Sequence, residues 1–133
     1  MTRRKIETHQ LNDCNKGLTL LVVDNPGPGG ANHSYHVTTG PNGYVPGTGM
    51  ATPPRFCLSI DFQYGPVPES GINGITNEVL IAILIDRMEG FQRGPFACER
   101  NAMVLDHLQK ALMICHGRTQ DRIDRGVEGK MEP

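Results

Sequence analysis

Four side chains in the second half of this 133-residue sequence are of the types that hold a nucleotide. Phe91, between Gly90 and Gly94, offers an aromatic face on which a base can stack. Asn101 can both give and accept hydrogen bonds at a base or ribose. Arg118 and Arg122, one helical turn apart, suit the bidentate capture of phosphate oxygens. Each also has a plainer reading. A single amide on a helix seam commonly fixes register and oligomeric state, and two arginines interleaved with Asp121 and Asp124 describe a solvated helix end. The ligand reading rests on the cluster taken whole, and no acid–base or nucleophile–base pair accompanies it.

Other candidate chemistry is weaker. The run Pro26-Gly-Pro-Gly-Gly30 follows a strand pattern, as a phosphate loop does, but it lacks a Gly-Lys-Ser/Thr and a following helix. A hairpin turn is the better expectation. His33 and His36 have no third ligand at metal spacing, so surface histidines are expected and no metal or cofactor is implied. His36-Val-Thr38 matches one half of the paired His-x-Thr motifs of a phosphodiesterase, yet no second copy is present to supply the other acid or base. The cysteines at 14, 57, 98 and 115 form no CxxC pair, and nothing nearby in sequence activates Cys98 or Cys115. They read as structural residues on a helix face.

Composition narrows the classes further. The net charge is −1, which argues against a polyanion coat and so against DNA or a membrane surface as the partner. The stretch after Met1-Thr-Arg-Arg-Lys5 is not apolar, so no secretion signal is expected and the thiols should be reduced. No run approaches the roughly 18 apolar residues of a membrane span.

Eleven of the 16 glycines fall in 17–74 and eight of the ten prolines in 26–68, which separates a loop-rich half from a helical half. We read a single domain, 1–133, with a β-rich part over 1–72 and a helical hairpin over 73–133. Leu18–Asp24, Ser34–Thr39 and Phe56–Phe62 read as three strands of an antiparallel sheet; Phe56, Leu58, Ile60 and Phe62 share one face. Residues 40–54, with four Gly and four Pro, read as a flexible loop. Thr76 can cap a helix whose Val79–Ile85 run is apolar all round and therefore needs cover on more than one side. The sheet is expected to cover one face and a partner subunit the rest.

Gly90–Gly94 is expected to break that helix, and Pro95 to open a second one lasting to about Arg125. Along the second helix Ala97, Val104, Leu108, Leu112 and Cys115 fall in one stripe. Asn101 lies about 20° from Leu108, and Arg122 about 40° and Arg118 about 80° from it. The fold expected is α+β: a small N-terminal antiparallel sheet packed on a C-terminal two-helix hairpin, homo-oligomeric.

The stretch Phe91-Gln-Arg-Gly-Pro-Phe-Ala-Cys-Glu-Arg-Asn101, the Leu108/Leu112 helix, and Arg118-Thr-Gln-Asp-Arg122-Ile-Asp-Arg-Gly-Val-Glu-Gly129 resemble the Thoeris anti-defence phage proteins. These share a two-helix hairpin domain with the anti-CBASS cyclic-nucleotide sponges. His9-Gln-Leu-Asn12, Pro26-Gly-Pro-Gly-Gly-Ala-Asn-His33 and Asn73-Gly-Ile-Thr-Asn77 add to the resemblance, while 40–54 has no counterpart.

The resemblance implies a non-enzymatic sponge in the host bacterial cytoplasm. It would bind cyclic ADP-ribose isomers made by TIR enzymes, such as glycocyclic-ADP-ribose, without cleaving them. Some members also hold cyclic trinucleotides at separate sites, and they assemble as hexamers of dimers. By motif position, Phe91 would stack on the adenine and Asn101 would hydrogen-bond the signal. Arg118 and Arg122 would hold trinucleotide phosphates. Family pockets also use a basic residue of the β part, for which Arg55 is the nearest candidate. The competing readings are a cyclic-nucleotide phosphodiesterase and a structural oligomer without ligand.

Overall fold

A computed structural model describes residues 4–39 and 57–128. The loop expected over 40–54, Arg55 and Phe56 lie outside the described residues. The chain divides into two compact units, Met1–Tyr64 and Gly65–Pro133.

The first unit is a four-stranded sheet in the order β1 (Arg4–Ile6), β2 (Leu18–Val22), β3 (Ser34–Thr39) and β4 (Cys57–Asp61), every neighbour antiparallel. Cross-strand partners share a face, so the register identifies what each face carries. Val22 lies opposite Tyr35, and Tyr35 opposite Ile60; Leu20 lies opposite Val37, and Val37 opposite Leu58. One face is therefore aliphatic and aromatic, as the alternation in β3 and β4 predicts. Val22 and Val23 are buried, and Tyr35 meets Phe62 edge to face with centroids 5.7 Å apart. The other face pairs Leu21 with His36 and His36 with Ser59.

Two features of this unit depart from expectation. Three strands were predicted and a fourth, β1, pairs Arg4 with Val22 and Ile6 with Leu20. A helical turn, α1 (Asp13–Lys16), follows it, capped by the Asn12 side chain, which accepts from the Asn15 N–H at 3.0 Å. His33 is not a surface residue. Its ring packs on Tyr64, centroids 4.4 Å apart, and leaves no room at Gly27, where an added Cβ would lie 2.6 Å from Cε1. The Pro26–Gly30 segment thus belongs to the connection between β2 and β3, with glycine required where His33 comes close.

Asp24 organises that connection. Its carboxylate accepts from the His33 backbone N–H at 2.9 Å and from Asn32 Nδ2 at 3.3 Å, while Asn32 Nδ2 also reaches the Asp24 carbonyl at 2.8 Å. Desolvation pushes the carboxyl pKa up, but the backbone hydrogen bonds from His33 and Ser34 and the bond from Asn32 outweigh it, and the net direction is down.

The second unit holds α2 (Val67–Ser70), α3 (Asn77–Arg93) and α4 (Glu99–Asp124), with α3 and α4 packed as a hairpin. Thr76 caps α3, its Oγ1 accepting from the Val79 N–H at 3.3 Å. The break expected over Gly90–Gly94 falls at the end of that segment: α3 continues through Gly90 to Arg93 and stops at Gly94. One glycine inside a helix costs only about 1 kcal/mol, which the surrounding helix formers offset. Pro95 and Phe96 stay in the turn, and α4 begins at Glu99 behind Cys98, whose Sγ accepts from the Asn101 N–H at 3.4 Å. Cys98 is a cap rather than a residue on a helix face.

The seam is also shifted from the predicted stripe. Asn101, Leu105, Leu108, Leu112, Cys115 and Thr119 are half-buried and Arg122 is buried, a four–three alternation down one side of α4. Ala97 precedes the helix, and Val104 is 45% exposed. Val79, Ile83 and Leu84 of α3 are exposed as well.

Replacing Asp24 with alanine is expected to lower the melting temperature at neutral pH. Because its folded pKa is depressed, the contribution is complete above about pH 3.9 and lost as pH falls through the lowered value. The gap between native and variant should therefore close in acid; a gap unchanged there would show that the carboxylate is not its source.

Candidate functional site

Residues 94–98 join two antiparallel helices, and their polar groups are satisfied from within the turn. Gln92 faces Cys98 across it. The Cys98 N–H donates to Gln92 Oε1 at 3.1 Å, and Gln92 Nε2 donates to the Cys98 carbonyl at 3.2 Å. Asn101, in the first turn of α4, donates from Nδ2 to the Phe96 carbonyl at 3.1 Å. The Phe96 ring in turn meets Phe91 nearly perpendicularly, at 75° with centroids 6.5 Å apart. Phe91 and Asn101 are thus brought to one place, linked through Phe96.

The continuation of α3 past Gly90 sets the geometry of Phe91. It stands in the last turn of the helix, half-buried, and not in a Gly-flanked loop. Arg87, one turn earlier, lies with its guanidinium carbon 5.6 Å from the Phe91 centroid. Phe96 is 70% exposed, so aromatic surface is presented to solvent beside the Asn101 amide. The adjoining surface of α4, lined by Glu99, Arg100, Met103, Val104, His107 and Leu108, forms an open groove. The arrangement offers stacking surface, a fixed amide and a nearby cation, which are means of binding.

Arg118 and Arg122 differ in their surroundings. Arg118 is exposed. Arg122 is buried and held by the segment after α4: Nε donates to Glu128 Oε2 at 3.1 Å and Nη2 to the Val127 carbonyl at 2.9 Å. Gly126, at φ +73°, makes this return of the chain possible. The two arginines follow one another along α4 but are not in one environment, and Arg122 is no part of a solvated helix end.

Residues 58–117 match the Acb2/Tad1 hairpin domain. The match covers a little under half of the chain. Thoeris anti-defense 1 from Bacillus phage SBSphiJ7 is 49% identical over 74 residues, which are 56% of this chain and 52% of that protein. The chain therefore spans about half the length of that relative. Both matches support the Thoeris anti-defence family that the motifs resemble. Phe91 and Asn101 fall inside the matched hairpin; Arg118 and Arg122 lie just beyond it.

Gln92, Phe96 and Arg87 were not singled out from the sequence. Two signals for them were present: Phe96 is the second aromatic of the same short turn, and Arg87 stands four residues before Phe91 on the same helix face.

Replacing Arg122 with alanine is expected to cost about 1–3 kcal/mol of stability through lost charged hydrogen bonds. Arg118→Ala should stay within about 0.5 kcal/mol, as exposed substitutions do. Denaturant unfolding of the two variants makes the comparison, and equal effects would mean that the Val127–Glu128 contact contributes nothing.

Proposed function

We propose that this chain is a phage anti-defence protein that binds and sequesters cyclic ADP-ribose signals in the host bacterial cytoplasm, and does not cleave them. Glycocyclic-ADP-ribose is the signal we assign to the α3–α4 turn. The observation that carries this reading is the junction of Phe91, Phe96 and Asn101, which presents a stacking surface and a positioned amide within the matched hairpin. In this assignment Phe91 stacks on the adenine. Asn101, its Nδ2 engaged with Phe96, uses Oδ1 to accept from the ligand. Kinship with a protein named Thoeris anti-defense 1 supports the same role.

A sponge acts stoichiometrically, so its Kd must lie below the signal concentration. Nanomolar binding is about −12 kcal/mol. One stacked base supplies about 1–3 kcal/mol and each hydrogen bond to a charged group about 1.5–3 kcal/mol, which falls short once association costs are subtracted. We therefore assign the functional form to a homo-oligomer, a hexamer built from dimers, whose shared pockets add contacts. Exposed Val79, Ile83 and Leu84 on α3, and Met103, Val104, Met113 and Ile114 on α4, provide the apolar surface such assembly needs.

A second site for cyclic trinucleotides is assigned to Arg118 and Arg122. Arg118 is available as the structure stands, whereas Arg122 must exchange Glu128 for a ligand phosphate. The charge type it needs is the one it already binds.

Thermal shift and calorimetry with glycocyclic-ADP-ribose test the proposal. A tight ligand must raise the melting temperature, and a saturating concentration without any shift would favour a structural oligomer. Phe91→Ala or Asn101→Ala is expected to weaken this signal at least tenfold, while Arg118→Ala with Arg122→Ala weakens only trinucleotides. Equal loss of both ligands in both variants would contradict the division into two sites.

A further inference from the structure

The site so far has a stacking ring and a neutral amide, but a cyclic ADP-ribose carries an anionic pyrophosphate. Neither Phe91 nor Asn101 can neutralise it. Among the described residues, Arg87 is the cation seated against the stacking ring, with its guanidinium carbon 5.6 Å from the centroid. The guanidinium lies over one face of the ring, so a base stacks on the opposite face.

We propose that Arg87 is a phosphate-binding residue of this site, an inference that rests on the signal-binding reading of the α3–α4 turn. Three observations carry it. The spacing of four residues along α3 puts Arg87 and Phe91 on one face. Arg87 is exposed, and no carboxylate among the described residues forms an ion pair with it. Contact with the ring restrains the guanidinium while leaving N–H groups at its edge to face a ligand. An arginine neutralised by a neighbouring carboxylate would have to surrender that partner first. Arg87 keeps its charge for an incoming anion, and the phosphates of a base stacked on the opposite face of Phe91 reach it past the ring edge.

Calorimetric titration of glycocyclic-ADP-ribose into the full chain and into Arg87→Ala, Arg87→Lys and Phe91→Ala variants, each at low and high ionic strength, tests the assignment. Arg87→Ala should weaken binding roughly tenfold to a hundredfold, as loss of one charge-assisted hydrogen bond does. It should also remove most of the salt sensitivity of the native protein. Arg87→Lys should be intermediate and retain that sensitivity, because it keeps the charge without the planar fork. Unchanged melting temperatures serve as the folding control.

Native affinity in Arg87→Ala, with binding lost in Phe91→Ala, would overturn the assignment and leave the stacking site standing. Weaker binding with undiminished salt sensitivity would overturn it too, because Arg87 would then act only by placing the ring. Failure of the native chain itself to bind would remove the underlying reading and this proposal with it.

Discussion

Two long helices joined by a short turn leave the last carbonyls of one and the first amides of the other without intrahelical partners. Here side chains close the turn between them and cap the second helix. Gln92 pairs with both backbone groups of Cys98, Cys98 caps α4 through sulfur, and Asn101 takes the Phe96 carbonyl. This polar closure holds the turn in one conformation. Phe96 is thereby set against Phe91, and Phe91 stands within reach of Arg87. The interactions that end one helix and start the next are the same ones that assemble the candidate site, so the hairpin carries a pre-organised surface at its tip.

Away from the turn, the helical unit is sparsely buried. Among its described residues Arg122 is the buried one, while isoleucine, leucine, valine and methionine side chains stay in contact with solvent. A hairpin normally stabilises itself by hiding an apolar stripe. Here the apolar surface extends round both helices, which is consistent with the self-assembly proposed above. Placing an arginine in the seam near the C-terminal end of α4 and satisfying it with Val127 and Glu128 gives that end of the helix a polar anchor instead of an apolar one.

The sequence made legible those features that depend on local pattern. β-branched residues ahead of a run of turn residues marked β2, alternation marked β3 and β4, and Thr76 marked the start of α3. β1 was not legible because three residues, Arg4 to Ile6, carry too little alternation to register; pairing with β2 defines them. α3 ends inside the Gly90–Gly94 segment that marked its end, at the second glycine, because one residue's propensity at Gly90 is outweighed by continuous helix on both sides. The start of α4 was misplaced because a cysteine thiol is an unusual cap and Pro95 a common first residue. Ala97 drops from the seam because it precedes the helix, while inside α4 the half-buried line runs through Leu105 and Thr119 and leaves Val104 exposed. Of the candidate site, residue types and spacing pointed to Phe91 and Asn101. Their link through Phe96 and the Gln92 closure arise from the folded turn, where residues distant by five or six positions meet. Arg122 lay near the seam on the helical wheel, but its burial depends on the chain returning after Gly126.

Under the proposed function the chain holds its signal without changing it. The direct measurement saturates the full chain with glycocyclic-ADP-ribose, denatures the complex by heat, and analyses the released small molecule by chromatography and mass spectrometry. Recovery of intact signal, in amount equal to what was bound and independent of incubation time, is the result this account requires. Accumulation of an opened or hydrolysed product with time would contradict it and return attention to the lone His36-Val-Thr38 motif on β3.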